Sequence, residues 1–157
     1  MKRQLVSLAC FLLASMAFEV GAQDAPETIS VTSSAFDHHG MVPESNSAYG
    51  ENVSIDLTWA DLPEGTQQLA LICDDPKVVE IGMMEQPFVH WVMYNIPASV
   101  SGLPAGLPSD ATLEMDGLEG AVNGLNGLRR PGYFGPRPPA NGPVSYTHLT
   151  LPTRLMV

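Results

Sequence analysis

Cysteine is nearly absent from this 157-residue chain, and basic residues are few. Of the two cysteines, Cys10 lies inside an apolar run near the N-terminus, which leaves Cys73 alone in the rest. A lone cysteine closes no intramolecular disulfide, and Cys73 reads as a small apolar residue in a buried strand. Lysine and arginine total 7 against 17 aspartates and glutamates, a formal charge of −10. That acidity argues against nucleic acid and against anionic membrane surfaces as general partners. An anionic ligand would need a local site working against the overall field. Long apolar runs are missing too: Leu5 to Phe18 has 14 residues, short of the ~20 that span a bilayer. There is no internal repeat, heptad or low-complexity block, and no sustained 3.6-residue apolar period beyond that run. A nucleophile elbow and a zinc-protease motif are both missing.

The two ends have their own grammar. Lys2 and Arg3 precede the apolar run, and Val20-Gly21-Ala22 supplies small residues around a cleavage point. Residues 1–22 are expected to be a secretory signal, cleaved near Ala22, so that the protein is secreted or periplasmic. Removal of Lys2, Arg3 and Glu19 takes the basic residues from 7 to 5 and the acidic from 17 to 16, moving the charge from −10 to −11. At the other end, "PVSYTHLTLPTRLMV" resembles a conceptual translation of a transposon-end sequencing adapter. The alternative is a real strand, with Val144, Tyr146, His148 and Thr150 alternating. On the first reading residues 143–157 are a non-native tail, and His148 and Arg154 stay outside the functional argument. Residues 23–142 then form one domain, too short for two.

Within that domain the pattern is one of short strands. "TISVT" (28–32) reads as a first strand. "VSIDLTW" (53–59) alternates, with Val53, Ile55, Leu57 and Trp59 inward and Ser54, Asp56 and Thr58 outward. "DLPEGT" is a turn, and "QQLALICDD" (67–75) is the next strand, ending before Pro76. After a loop comes "FVHWVMYNIP" (88–97), apolar on both faces at a period of two and interrupted by one histidine. "ATLEMD" (111–116) offers a further short strand. From Gly117 to Gly142 glycine and proline are too dense for a long helix or a central strand. This sum predicts an antiparallel all-β domain, a sandwich or a barrel.

Asp74 and Asp75 close one strand, and Phe88 and His90 open the next. Consecutive elements are usually neighbours in space, so carboxylate and imidazole are expected to meet at one end of the sheet. A nearby carboxylate favours the imidazolium and orients the ring, and imidazolium with backbone N–H donors suits a small anion. The bland reading, a His–Asp pair satisfying itself in the core, stands equally well on spacing alone. The Gly/Pro segment favours a ligand, because glycine lets backbone approach closely and proline keeps the loop stiff.

"YGENVSIDLTWADLPEGTQQLALICDDP", "FVHWVMYNIPASVSGLPAGLP" and "GYFGPRPPANG", in this order, closely resemble the phosphatidylethanolamine-binding protein family, best its bacterial Raf-kinase-inhibitor-like branch. The resemblance runs from about residue 29 to 142. It implies a Greek-key antiparallel β-sandwich with few peripheral helices and a small end pocket for phosphate-like anions and phospholipid head groups. Position by position, it implies Asp75 as the pocket aspartate, His90 as the pocket histidine held by Asp75, and Phe88 as an aromatic wall. Tyr133, Gly135, Arg137 and Pro138 match the loop that closes over the anion. The chain departs from the motif at Lys77, Val78 and Val79, and Arg137 stands where bacterial relatives often have cysteine. Lys77 is expected in solvent. The family's following strand, with a second pocket histidine, is not found after Gly142, so the domain is expected to be truncated at its C-terminus.

The resulting expectation is an exported binding module for a small phosphate-bearing ligand, with a regulatory or inhibitory role toward a protein that the sequence does not identify. No cofactor, metal, nucleic acid or stable membrane insertion is expected. The alternative is a hydrolase using Asp75 and His90 as an acid–base pair, with Ser45, Ser47 and Ser54 as available hydroxyls. A copper-type site at "DHHGM" (37–41) with Met83 and Met84 is disfavoured, because adjacent side chains diverge.

Overall fold

In the computed structural model, residues 29–138 are described. The expected signal segment 1–22 and tail 143–157 lie outside them. Six strands and one helical turn follow in order: β1 (Ser30–Thr32), β2 (Leu57–Ala60), β3 (Gln68–Asp75), α1 (Lys77–Glu80), β4 (Phe88–Pro97), β5 (Gly102–Leu103) and β6 (Val122–Asn123). A short 3-10 turn, Glu44–Asn46, precedes β2. The strands form two three-stranded antiparallel sheets, β1-β2-β5 and β3-β4-β6. No helix among the described residues is long and apolar enough to cross a membrane.

Alternation explains the core. Leu57 and Trp59 of β2, Leu69, Leu71 and Cys73 of β3, Trp91, Met93 and Ile96 of β4, and Leu103 of β5 join one buried cluster. Trp91 and Met93 are fully enclosed, each contributing about 1.5–3 kcal/mol or more through burial of apolar surface. Burial pushes the Cys73 thiol up to about 12, with Asp74 and Asp75 adding to the shift, so it is an unreactive thiol. The indole N–H groups also find acceptors: Trp59 Nε1 donates to the Val100 carbonyl at 2.9 Å and Trp91 Nε1 to Asn123 Oδ1 at 3.1 Å.

Four local expectations are corrected. Ser54 is buried rather than outward, because its hydroxyl accepts the Leu107 N–H at 2.8 Å. The 76–87 connection includes the one-turn helix α1. "ATLEMD" forms no strand; Thr112 makes an isolated bridge to Val122 and Leu113 enters the core. The face of β4 opposite the core is only partly covered, with Tyr94 exposed and Val92 half-buried. Its covered end is the one that carries His90.

Candidate functional site

The site grows from the junction of β3 and β4. Asp75 stands directly across from Phe88 in the antiparallel register. Between the pairs Cys73–Trp91 and Asp74–Val89 the register slips by one, which leaves His90 as the unmatched residue of β4. Such a bulge bends a strand and re-aims side chains. Here two consecutive residues, His90 and Trp91, are both buried, where strict alternation would bury one of them.

The 133–138 segment closes over this bulge. The Phe134 N–H donates to the His90 carbonyl at 2.9 Å, and His90 Nδ1 meets the Phe134 carbonyl oxygen at 2.6 Å. A carbonyl only accepts, so Nδ1 carries the proton. The ring is therefore oriented by Phe134, whereas the sequence suggested Asp75. Burial, the largest influence, lowers the imidazole's proton affinity; the Phe134 hydrogen bond and then the charges of Asp75 and Asp74 raise it. The net direction is below 6.5, so the free ring is neutral at physiological pH. The expected pull of Asp75 toward the imidazolium is there, but burial outweighs it. One Asp75 oxygen is occupied by the Lys77 N–H at 2.9 Å. The Lys77 side chain turns outward and pairs with Glu80 at 2.6 Å.

Around these groups lies a cavity of about 350 Å³. Its walls include Asp75, Phe88, His90, Arg137 and Pro138, five of the seven residues read from the sequence. Tyr133 and Gly135 are not among its lining residues. Tyr133 turns into the core, packs edge-on against Trp91 and donates its hydroxyl to the Asn46 carbonyl at 2.7 Å. Burial raises its pKa further above the ordinary value. Gly135 fits where a Cβ would come within 2.3 Å of the Asn46 carbonyl oxygen, so its role is close approach of two loops.

Those two loops form a clamp that the sequence did not reveal. Asn52, held at a positive φ of 57°, accepts the Gly135 N–H through Oδ1 at 2.7 Å. The Ala48 N–H donates to the Pro136 carbonyl at 3.1 Å, and the Tyr49 hydroxyl donates to the Pro138 carbonyl. The Arg137 guanidinium lies 5.6 Å from the Tyr49 ring centre, within cation–π range. On the other side, Gly127 approaches the Phe88 ring so closely that an added Cβ would sit 2.6 Å from it. Phe88 in turn meets the His90 ring edge-on at 4.9 Å. The remaining wall is apolar: Val78, Ile81, Met83, Met84, Leu128 and Phe134. These were not read as pocket residues because only the folded chain brings Val78 of α1, the 81–84 segment after it, Leu128 and Phe134 to the same cavity as His90.

The serines do not join the site. Ser47 Oγ donates to the Glu44 carbonyl at 2.8 Å, Ser45 Oγ lies 3.4 Å from Asn46 Oδ1, and none of the three serines lines the cavity. The His38 and His39 ring centres lie 3.9 Å apart with their planes tilted by 52°. Among the described residues no group of three or more His, Cys, Asp or Glu side chains is arranged to hold a metal ion.

The model of the family described as phosphatidylethanolamine-binding protein matches residues 32–151. A UPF0098 protein of Methanothermobacter thermautotrophicus is 37% identical over 106 residues, covering 68% of this chain and 64% of that protein. A Mycobacterium tuberculosis protein named as a lipoprotein, LppC, is 34% identical over 127 residues, covering 81% of this chain and 56% of its own. The chain thus spans less than two thirds of the length of these two relatives. Among solved structures, a phosphatidylethanolamine-binding protein homologue of Chlamydia trachomatis superposes with a TM-score of 0.60 at 30% identity, covering 73% of this chain and 69% of that one.

Proposed function

This chain belongs to the phosphatidylethanolamine-binding protein family, and from that premise we propose that it is an exported binding module for a small phosphate-bearing molecule or phospholipid head group. The head sits at Asp75, His90 and Arg137, under the clamped loop. The architecture we attach to this reading is a Greek-key sandwich with the pocket at one end. The observation that carries the proposal is the convergence of three separated segments, at Asp75, at Phe88 and His90, and at Arg137 and Pro138, on one cavity. Arg137 supplies the fixed positive charge there, and a guanidinium fork suits phosphate oxygens. The apolar wall suits a ligand whose phosphate carries an organic group, as usual for a small-molecule site.

Export is supported by the charged-then-apolar N-terminus and by the lipoprotein name of one relative. A regulatory action on another protein, as the inhibitor-like branch suggests, belongs to the same proposal, with the target left to experiment. Titration calorimetry of the purified chain with phosphoethanolamine is the direct test. Binding is expected to weaken tenfold or more in His90→Ala, the equivalent of the ~1.5–3 kcal/mol of a hydrogen bond to a charged group. Equal affinity in the two proteins would remove the claim.

A further inference from the structure

The orientation of the His90 ring limits what the cavity can hold. Nδ1 is committed to the Phe134 carbonyl at 2.6 Å, and the Phe134 N–H returns to the His90 carbonyl at 2.9 Å. Phe88 packs edge-on against the ring at 4.9 Å. A ring flip would put a carbon in place of Nδ1 and lose that contact, and the other neutral tautomer would set a bare Nδ1 against the carbonyl oxygen, so the tautomer is fixed. Nε2 of the neutral ring then carries a bare lone pair and accepts. Asp75, beside it in the wall, accepts as well, with one oxygen already taken by the Lys77 N–H. A phosphate dianion offers acceptors only. Acceptor would face acceptor, and a buried polar group left unpaired costs about 1–3 kcal/mol.

We propose that the cavity binds its phosphate ligand together with one proton, shared between a phosphate oxygen and Nε2 of His90. This inference rests on the phosphate-binding reading and names the ionic form that is bound: a phosphomonoester monoanion on a neutral ring, or equivalently a dianion on a ring that has taken up a proton. The proton comes from solvent, whose O–H bond is exchanged for the shared N–H or O–H bond, and no bond to phosphorus forms or breaks. The groups facing the ring agree with this balance. Strand β3 brings Asp75 to the wall and Asp74 acts on the ring through its charge from outside the wall, the closing loop brings Arg137, and Val78 of α1 and Leu128 bring only apolar side chains. Two carboxylates against one guanidinium disfavour a second full negative charge on the ligand. Burial keeps the empty site's ring neutral, so the proton is acquired on binding rather than stored beforehand.

Phenyl phosphate and phenyl sulfate form the test pair, because the sulfate ester has no second proton to carry. For the native chain, phenyl phosphate affinity is expected to fall about tenfold per pH unit from pH 7 to 9, above the ligand's second pKa of ≈ 6. Calorimetry in buffers of different ionisation enthalpy is expected to show uptake of about one proton per ligand. Phenyl sulfate is expected to bind more weakly at pH 7. Long-range nitrogen–proton NMR of the empty protein is expected to show Nδ1 protonated and Nε2 bare. A pH-independent affinity with no proton uptake, equal binding of the two esters, or a bare Nδ1 would each overturn the inference while leaving phosphate binding intact. Failure of both esters to bind would overturn the inference and the function together.

Discussion

His90 concentrates the physical conflict of this molecule in one ring. Burial penalises its charged form, Asp75 and Asp74 favour it, and a carbonyl 2.6 Å away fixes which nitrogen is protonated. Burial wins, so the folded-state pKa lies below the unfolded value of about 6.5. Between those two values the unfolded chain binds the proton and the folded chain does not. The stability His90 contributes is therefore present above pH 6.5 and is lost as pH falls through the folded-state pKa, by about 1.4 kcal/mol per unit of separation. Denaturant melts at pH 7.5 and pH 5 check this. The native chain is expected to lose more stability over that interval than His90→Gln, which keeps polarity but does not titrate. Equal losses would mean that the ring is solvated. At this scale the sequence was informative about residue type: a histidine in an apolar strand stood out. It was silent about the ring's partner, because Phe134 lies 44 residues away and contributes a backbone atom that any residue could supply.

Among the elements, β3 and β4 were legible because their apolar runs are long and bounded by proline. The bulge at His90 was not, since a slip of one residue leaves no mark on composition. The clamp between residues 46–52 and 133–138 was equally hidden. Its groups on the first loop, the Tyr49 and Asn52 side chains and the Asn46 carbonyl, look like ordinary loop polars, and their bonds join positions more than 80 residues apart. Asparagine at 52 serves twice: it tolerates the positive φ, and its amide oxygen holds the Gly135 N–H. Asn52→Gly separates the two roles, for glycine keeps the backbone and loses the bond. That variant is expected to lose about 1–2 kcal/mol of stability. It should also speed amide exchange at Gly135 and weaken phosphoethanolamine binding severalfold. Unchanged exchange at Gly135 would show that the remaining contacts suffice to hold the loop.

Taken whole, the molecule sets a local site against its own field. The two sheets share one core, and the alternation of Leu57, Trp59, Leu71, Cys73, Trp91 and Met93 made that core readable in advance. The cavity at its edge was foreseeable only through the order of the motifs, because no single segment contains it. Around it the chain carries a formal charge of −10; Asp75 and Arg137 share the cavity wall with His90, and Asp74 adds negative charge nearby. Long-range repulsion must therefore oppose the approach of an anion, while the guanidinium contact acts at short range. Added salt screens the first more than the second, since the Debye length shrinks from about 30 Å at 0.01 M to about 8 Å at 0.15 M. Phosphoethanolamine is a weak probe of this, because its ammonium offsets its charge; phenyl phosphate is a better one. Its affinity for the native chain is expected to tighten about three- to tenfold over that range of sodium chloride, mainly through a faster association rate. A basic anion site behaves in the opposite sense. Weakening with salt would mean that Arg137 dominates the field at the mouth, and the acidity of the rest would then have no bearing on ligand capture.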